Sequence, residues 1–249
     1  MPPRDLSRLA IVLCEPQQPG NIGAVARAMG NFGVTDLRLV NPCLYLHPEA
    51  RKFAVNASHL LGRAQVFATL PEALADLQLT VATTRRGGRL RGELLDSTAL
   101  PGLLDRLPPR AQVGLVFGRE DCGLSSDEVA LCSHAVTVTT TDDLGSLNLA
   151  QAVLLFLYEL ARAPQPNLPQ AEADLPAQEE VEAMFAQMEG VLERIAFANP
   201  SRPEAVRNRL RQLIARARPA RDEVALLRGL WSQLAWSIND WRGRKRGNK

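Results

Sequence analysis

The run Leu9-Ala10-Ile11-Val12-Leu13-Cys14 is apolar throughout, and the loop that follows it, containing Pro19 and Gly20, leads into a helical period at Ile22, Val25, Ala26 and Met29. A strand with no polar face is buried on both sides, which in water means a parallel sheet covered by helices. Further strands are expected at 37–40, 64–67, 79–83, 113–117 and 135–138, with helical stretches at 71–77, 125–132 and 146–162 among them. This alternation predicts an α/β domain with a mostly parallel sheet over residues 1–162. In such sheets ligands bind beyond the carboxyl ends of the strands.

Residues 163–170 hold three prolines and read as the start of a linker over 163–176. Beyond it the strand pattern stops. Apolar residues recur at three- and four-residue spacing from Val181 to Ile195, Val206 to Ala217 and Val224 to Ile238, predicting three amphipathic helices in a small domain over 177–249. The polar side of the middle helix is read as Arg207, Arg209, Arg211, Arg216 and Arg218.

Charge is distributed unevenly behind a formal net charge of +2. Residues 200–249 hold 13 Lys or Arg against 4 Asp or Glu (+9), residues 165–199 hold 1 against 7 (−6), and residues 1–164 hold 15 against 16 (−1). A basic end on a neutral body suits a polyanion such as nucleic acid, although a solvated basic surface reads the same way. No apolar run approaches the roughly 20 residues of a membrane span. The stretch from Met1 to Asp5 has no signal-peptide character, and a cytoplasmic location is expected. Cys14, Cys43, Cys122 and Cys132, and His47, His59 and His134, have no metal-ligand spacing, so no metal is expected.

Polar residues cluster where strands end. Asn21, Gly23 and Arg27 follow the first strand; Phe117-Gly118-Arg119-Glu120 and Gly123 follow the strand at 113–117; Gly145-Ser146-Leu147-Asn148 opens the last helix of the domain. The first loop is not a dinucleotide fingerprint, since Gly20-Asn21-Ile22-Gly23 lacks the third glycine, and no phosphate-binding G-x-x-x-x-G-K-[ST] is present. An isolated Gly118-Arg119-Glu120 would be no more than a turn with a satisfied ion pair.

In order and spacing, these segments resemble the three signature motifs of the SPOUT-class ribose 2′-O-methyltransferases, and within that class the bacterial tRNA enzymes of the TrmJ/LasT type. Phe197-Ala198-Asn199-Pro200, the Arg-rich helix and Asp222 to Leu230 extend the resemblance through the carboxyl-terminal part. It departs at Thr139, where the family commonly has proline, at Leu144, where an aromatic is usual, and at Asp121-Cys122 in the glycine loop.

The resemblance implies a SPOUT (α/β-knot) domain with a carboxyl-terminal trefoil knot, a homodimer with active sites across a two-fold interface, and S-adenosylmethionine as cofactor. The helix from 146 to 158, apolar nearly all round, suits burial against a partner. The cofactor would be held by Thr83, Thr84, Arg85, Gly118, Val138, Gly145, Ser146 and Leu147. The substrate implied is tRNA, methylated on the ribose of cytidine or uridine 32 in the anticodon loop. An rRNA ribose methyltransferase and a non-catalytic RNA-binding regulator are the alternatives. Arg27 is expected to grip the phosphate and 2′-hydroxyl. A guanidinium, with a pKa above about 12, anchors anions more readily than it accepts protons. Asn21 is expected to fix the loop or the ribose, and Glu120 to orient Arg27 or Asn21. Ser146 and Asn148 would offer groups at a helix start, with Ser146 alternatively a simple helix cap.

Overall fold

The computed structural model describes residues 4–85, 94–141, 146–164, 174–197 and 203–238. It divides into two compact units, residues 1–173 and 174–249.

The first unit is a seven-stranded sheet in the order β3-β2-β1-β6-β4-β7-β5, all its neighbours parallel. The strands are β1 (Leu9–Cys14), β2 (Asp36–Val40), β3 (Gln65–Phe67), β4 (Leu79–Thr83), β5 (Leu94–Asp96), β6 (Val113–Phe117) and β7 (His134–Thr137). The helices are α1 (Pro19–Asn31), α2 (Pro48–Ala54), α3 (Ser58–Arg63), α4 (Leu70–Leu74), α5 (Leu100–Asp105), α6 (Ser126–Ala130) and α7 (Leu149–Arg162). Every residue of β1 and β6 is buried, as their unbroken apolar character requires.

The chain builds β1, β2 and β3 outward in one direction and then crosses to the other side of β1, where β6 becomes its neighbour. The carboxyl ends of β1 and β6 therefore flank a switch point, where an open parallel sheet leaves a crevice. Gly23 brings α1 against α2, since a Cβ there would lie 2.0 Å from the carbonyl oxygen of Ala50.

Three differences from the sequence reading have physical causes. The last helix starts at Leu149 rather than 146, because Asn148, not Ser146, is the cap: its Oδ1 accepts from Ala150 N at 2.9 Å and Gln151 N at 3.4 Å. The helices α2, α3 and α5 are seven residues or fewer, too short to show a helical period. Strand β5 has three half-buried residues at a sheet edge and no apolar run to announce it.

The second unit contains α8 (Gln178–Arg194), α9 (Pro203–Ala217) and α10 (Arg221–Ser237). They close around Met184, Phe185, Met188 and Val224, with Leu210, Ile214, Leu227 and Trp231 packed against them. Arg211, read as part of an exposed basic face, turns inward. It pairs with Glu182 at 2.7 Å and Glu189 at 3.3 Å, and its guanidinium lies 4.3 Å from the centre of the Phe185 ring. Arg207 lies 3.9 Å from Glu189. Acids of α8 thus draw in part of the charge that the sequence assigns to the surface, whereas Arg209 is exposed. The linker residues 165–173 and the basic run 242–246 lie outside the described residues.

Candidate active site

Helix α1 begins without a side-chain cap of its own, since the Gln18 side chain at the capping position accepts from no backbone N–H. Glu120, in the loop after β6, takes that place. Its carboxylate accepts from Gln17 N at 2.9 Å, Gln18 N at 3.2 Å and Asn21 Nδ2 at 3.0 Å. An anion there meets both the free N–H groups and the positive end of the helix dipole. Asn21 Oδ1 accepts from Asn148 Nδ2 at 3.0 Å, and Asn148 caps α7. A continuous chain of hydrogen bonds therefore runs from Glu120 through Asn21 and Asn148 to the start of α7.

Beside this chain lies a cavity of about 270 Å³ at the carboxyl ends of β4, β6 and β7. Thr83, Thr84, Arg85, Gly118, Val138, Ser146 and Leu147 line it, as does Glu120. Gly145 lies outside the described residues. Thr83 Oγ1 donates to Val116 O at 2.9 Å and Thr84 N to Val136 O at 3.0 Å, locking the three strand ends together. Phe117, Leu124, Val136 and Phe156 give apolar wall. Gly118 is irreplaceable here, because a Cβ would lie 2.2 Å from the Gly123 carbonyl carbon. Backbone edges on three loops, apolar wall and a glycine at the closest approach fit a nucleoside joined to an amino acid, the chemistry of S-adenosylmethionine.

Arg119 borders the cavity, but its guanidinium is committed to neighbouring acids. Its Nε donates to Glu15 at 2.8 Å and its terminal nitrogens donate to Glu128 at 3.0 and 3.1 Å. These charge-assisted bonds raise the Arg119 guanidinium above its ordinary value. Glu128 also forms the capping box of α6 with Ser125, at 2.7 and 3.2 Å. Arg119 thereby ties the glycine loop to both β1 and α6. The sequence reading weighed a turn with a satisfied ion pair against a signature motif and did not single out Glu15 or Glu128.

Asp96 was also missed. It accepts from Thr139 Oγ1 at 2.7 Å and from Thr98 N at 3.0 Å, tethering the chain just past Val138. Thr139, where the family commonly has proline, thus gains a side-chain tether. A short acidic residue in an edge strand carries no signal for this role.

The structure brings Asn21, Glu120 and Asn148 together and puts Ser146 on the cavity wall. Arg27 stands apart. It is exposed on α1, does not line the cavity, and forms no hydrogen bond or ion pair with the described residues. Glu120 orients Asn21, not Arg27. No activated thiol is present nearby: burial pushes the Cys14 thiol up to about 12, and the Asp121 carboxylate raises Cys122. Among the described residues no group of His, Cys, Asp and Glu could hold a metal, and no helix is long and apolar enough to cross a membrane.

Residues 8–158 match the SpoU rRNA methylase family. The chain belongs to this family. Residues 179–245 match the carboxyl-terminal domain of the tRNA methyltransferase TrmJ. The tRNA (cytidine/uridine-2′-O-)-methyltransferase TrmJ of Klebsiella pneumoniae is 37% identical over 236 residues, covering 92% of this chain and 97% of that protein. The crystal structure of TrmJ from Z. mobilis ZM4 superposes with a TM-score of 0.79 at 35% identity, covering 90% of this chain and 98% of that one. A probable methylase from Haemophilus influenzae superposes at 0.62 with 28% identity, covering 94% and 99%. The SpoU match spans the whole sheet and both capped helix starts, so the methylase residues and the hydrogen-bonded chain occupy the same unit.

Proposed function

We propose that this protein is a tRNA ribose 2′-O-methyltransferase that uses S-adenosylmethionine and acts on cytidine or uridine 32 of the anticodon loop. The observation that carries the reading is the Glu120–Asn21–Asn148 chain at the rim of the strand-end cavity. Relatives named as tRNA methyltransferases, matched over nearly their full length, support it. The cofactor supplies an electrophilic methyl group on a sulfonium. Thr83, Thr84, Arg85, Gly118, Val138, Ser146 and Leu147 hold it. Asn21, fixed between two amides and a carboxylate, orients the ribose at the start of α1.

Arg27 supplies the phosphate anchor. It is exposed and unpaired among the described residues, and it lies outside the cavity of its own chain. A two-fold dimer in which Arg27 serves the partner's cavity fits that placement. Leu154, Leu155 and Tyr158 of α7 are 43%, 37% and 53% exposed and give such a dimer an apolar face. The trefoil knot belongs to the same reading, as do a cytoplasmic location and a basic RNA-binding role for the helical unit.

Incubation of the purified protein with unmodified tRNA and methyl-labelled cofactor tests the reading, followed by mass spectrometry of nuclease fragments. One ribose methyl at position 32 is expected. With rRNA supplied in a parallel reaction, incorporation into rRNA alone, or into neither RNA, overturns it.

A further inference from the structure

We propose that a groove at the carboxyl ends of β2 and β3 binds a nucleobase of the substrate tRNA, within about three nucleotides of the methylated ribose. The inference rests on the tRNA methyltransferase reading. Asn41, Pro42, Leu44, Tyr45, Val66 and Phe67 line the groove, which encloses about 630 Å³ and opens widely to solvent.

Its position is the first argument. The groove occupies the same edge of the sheet as the cofactor cavity, on the other side of β1. Neighbouring strands lie about 4.8 Å apart, so the groove stands roughly 10 Å from the crevice between β1 and β6. A stacked nucleic-acid strand advances about 3.4 Å per nucleotide, and a splayed one advances further. The groove is also tied to the active site. Cys43 N donates to Pro16 O at 3.0 Å, and the adjacent Gln17 N donates to Glu120 at 2.9 Å. The loop that walls the groove and the start of α1 are therefore fixed to one another.

Its chemistry is the second. Tyr45 and Phe67 are half-buried aromatic rings, and beside them Leu44 is 70% and Val66 52% exposed. Isolated exposed apolar residues are ordinary, but four grouped at a catalytic edge form a stacking platform. Asn41, held at φ 42°, is exposed and carries an amide able both to donate to and accept from a base edge. The loop leads into α2, where Arg51 and Lys52 are exposed and have no ion pair among the described residues. Aromatic surface combined with exposed cations is how single-stranded nucleic acid is held, and splayed loop bases are what RNA-binding proteins read.

The test uses the full-length protein, tRNA lacking the target methyl, and three variants: Tyr45→Ala, Tyr45→Phe and Leu44→Glu. Tyr45→Ala and Leu44→Glu are expected to raise KM for tRNA about tenfold, in line with the loss of one stacked base. KM for the cofactor, the melting temperature and the sedimentation coefficient should not move. Tyr45→Phe keeps the ring and should behave as wild type. Wild-type protein acting on tRNA made abasic at a neighbouring position should lose the same factor, and Tyr45→Ala should lose little more on that substrate. Unchanged tRNA kinetics in both Tyr45→Ala and Leu44→Glu overturn the assignment. So does a fall in sedimentation, which would show a second copy covering the groove. If wild-type protein methylates no tRNA, the functional reading fails first; if it does and the variants match it, the groove assignment fails alone.

Discussion

Glu120 and Asn21 share a hydrogen bond of 3.0 Å although 99 residues separate them. The same carboxylate caps α1 through Gln17 and Gln18, so one side chain both closes a helix end and fixes the Asn21 amide. Glu120→Ala should expose two backbone N–H groups and release Asn21. We expect stability to fall by about 1 kcal/mol, the usual worth of a lost helix cap. The methylation rate should fall further, by roughly 10- to 100-fold or about 1.4–2.8 kcal/mol. Thermal melting and single-turnover methylation, measured on the same preparation, separate the two effects. Equal rates in a stably folded variant would refute the coupling.

Arg27 forms no hydrogen bond or ion pair with the described residues, so removing it breaks no contact described in the fold. Arg27→Ala should leave melting and cofactor affinity unchanged while lowering the rate by roughly two to four decades, about 3–5 kcal/mol. Lysine should restore part of it, having the charge without the planar fork. Calorimetry and rapid-quench kinetics decide; early melting with cofactor loss would make Arg27 structural.

The exposed face of α7 should be covered in solution. Leu154→Glu puts a charge where Leu154 is 43% exposed, leaving the buried Val153, Phe156 and Leu157 in place. Analytical ultracentrifugation should show a dimer for the wild type and a monomer for the variant. The monomer should also lose activity, because Arg27 would no longer reach a partner's cavity. An active wild-type monomer would end this reading.

Residues 200–249 carry a charge of +9, although Arg211 and Arg207 spend part of theirs on Glu182 and Glu189. Truncation after residue 164 should leave cofactor binding measurable and weaken tRNA binding steeply. Filter binding across a salt series should show a shallower salt dependence for the truncated form, since fewer phosphates are contacted. Equal tRNA affinity in both forms would remove the helical unit from substrate binding.

Acid should loosen the sheet at β2, one strand in from its β3 edge. Hydrogen bonds from Arg38, whose side chain is 6% exposed, hold the Asp76 carboxyl below its ordinary value of 3.8. A carboxyl depressed in the folded state contributes stability that is complete above its unfolded value and lost as pH falls through the folded one. Stability from this pair should therefore be level above about pH 4 and decline below it. Asp76→Asn should flatten that decline in urea titrations between pH 2 and 5, and an unchanged slope would exclude Asp76 as its source.

Six strands and four helices of the sheet unit, and the three helices of the second unit, were legible because hydrophobic periodicity is a local record of burial. Leu9 to Cys14, short, apolar throughout and followed by a Pro-Gly loop, read as a strand buried on both faces, and the residue types at the loop tips marked where a site would be. Tertiary structure alone decided how those residues are used. Asn148 and Asn21 meet across 127 positions, and no local pattern shows that Glu120 serves Asn21 rather than Arg27. Sequence counts the cations of α9, but only packing against α8 shows that Arg211 is consumed by Glu182 and Glu189. Periodicity reports which face of an element is buried; the partner of a polar group depends on distances between segments far apart in the chain, which the fold alone sets.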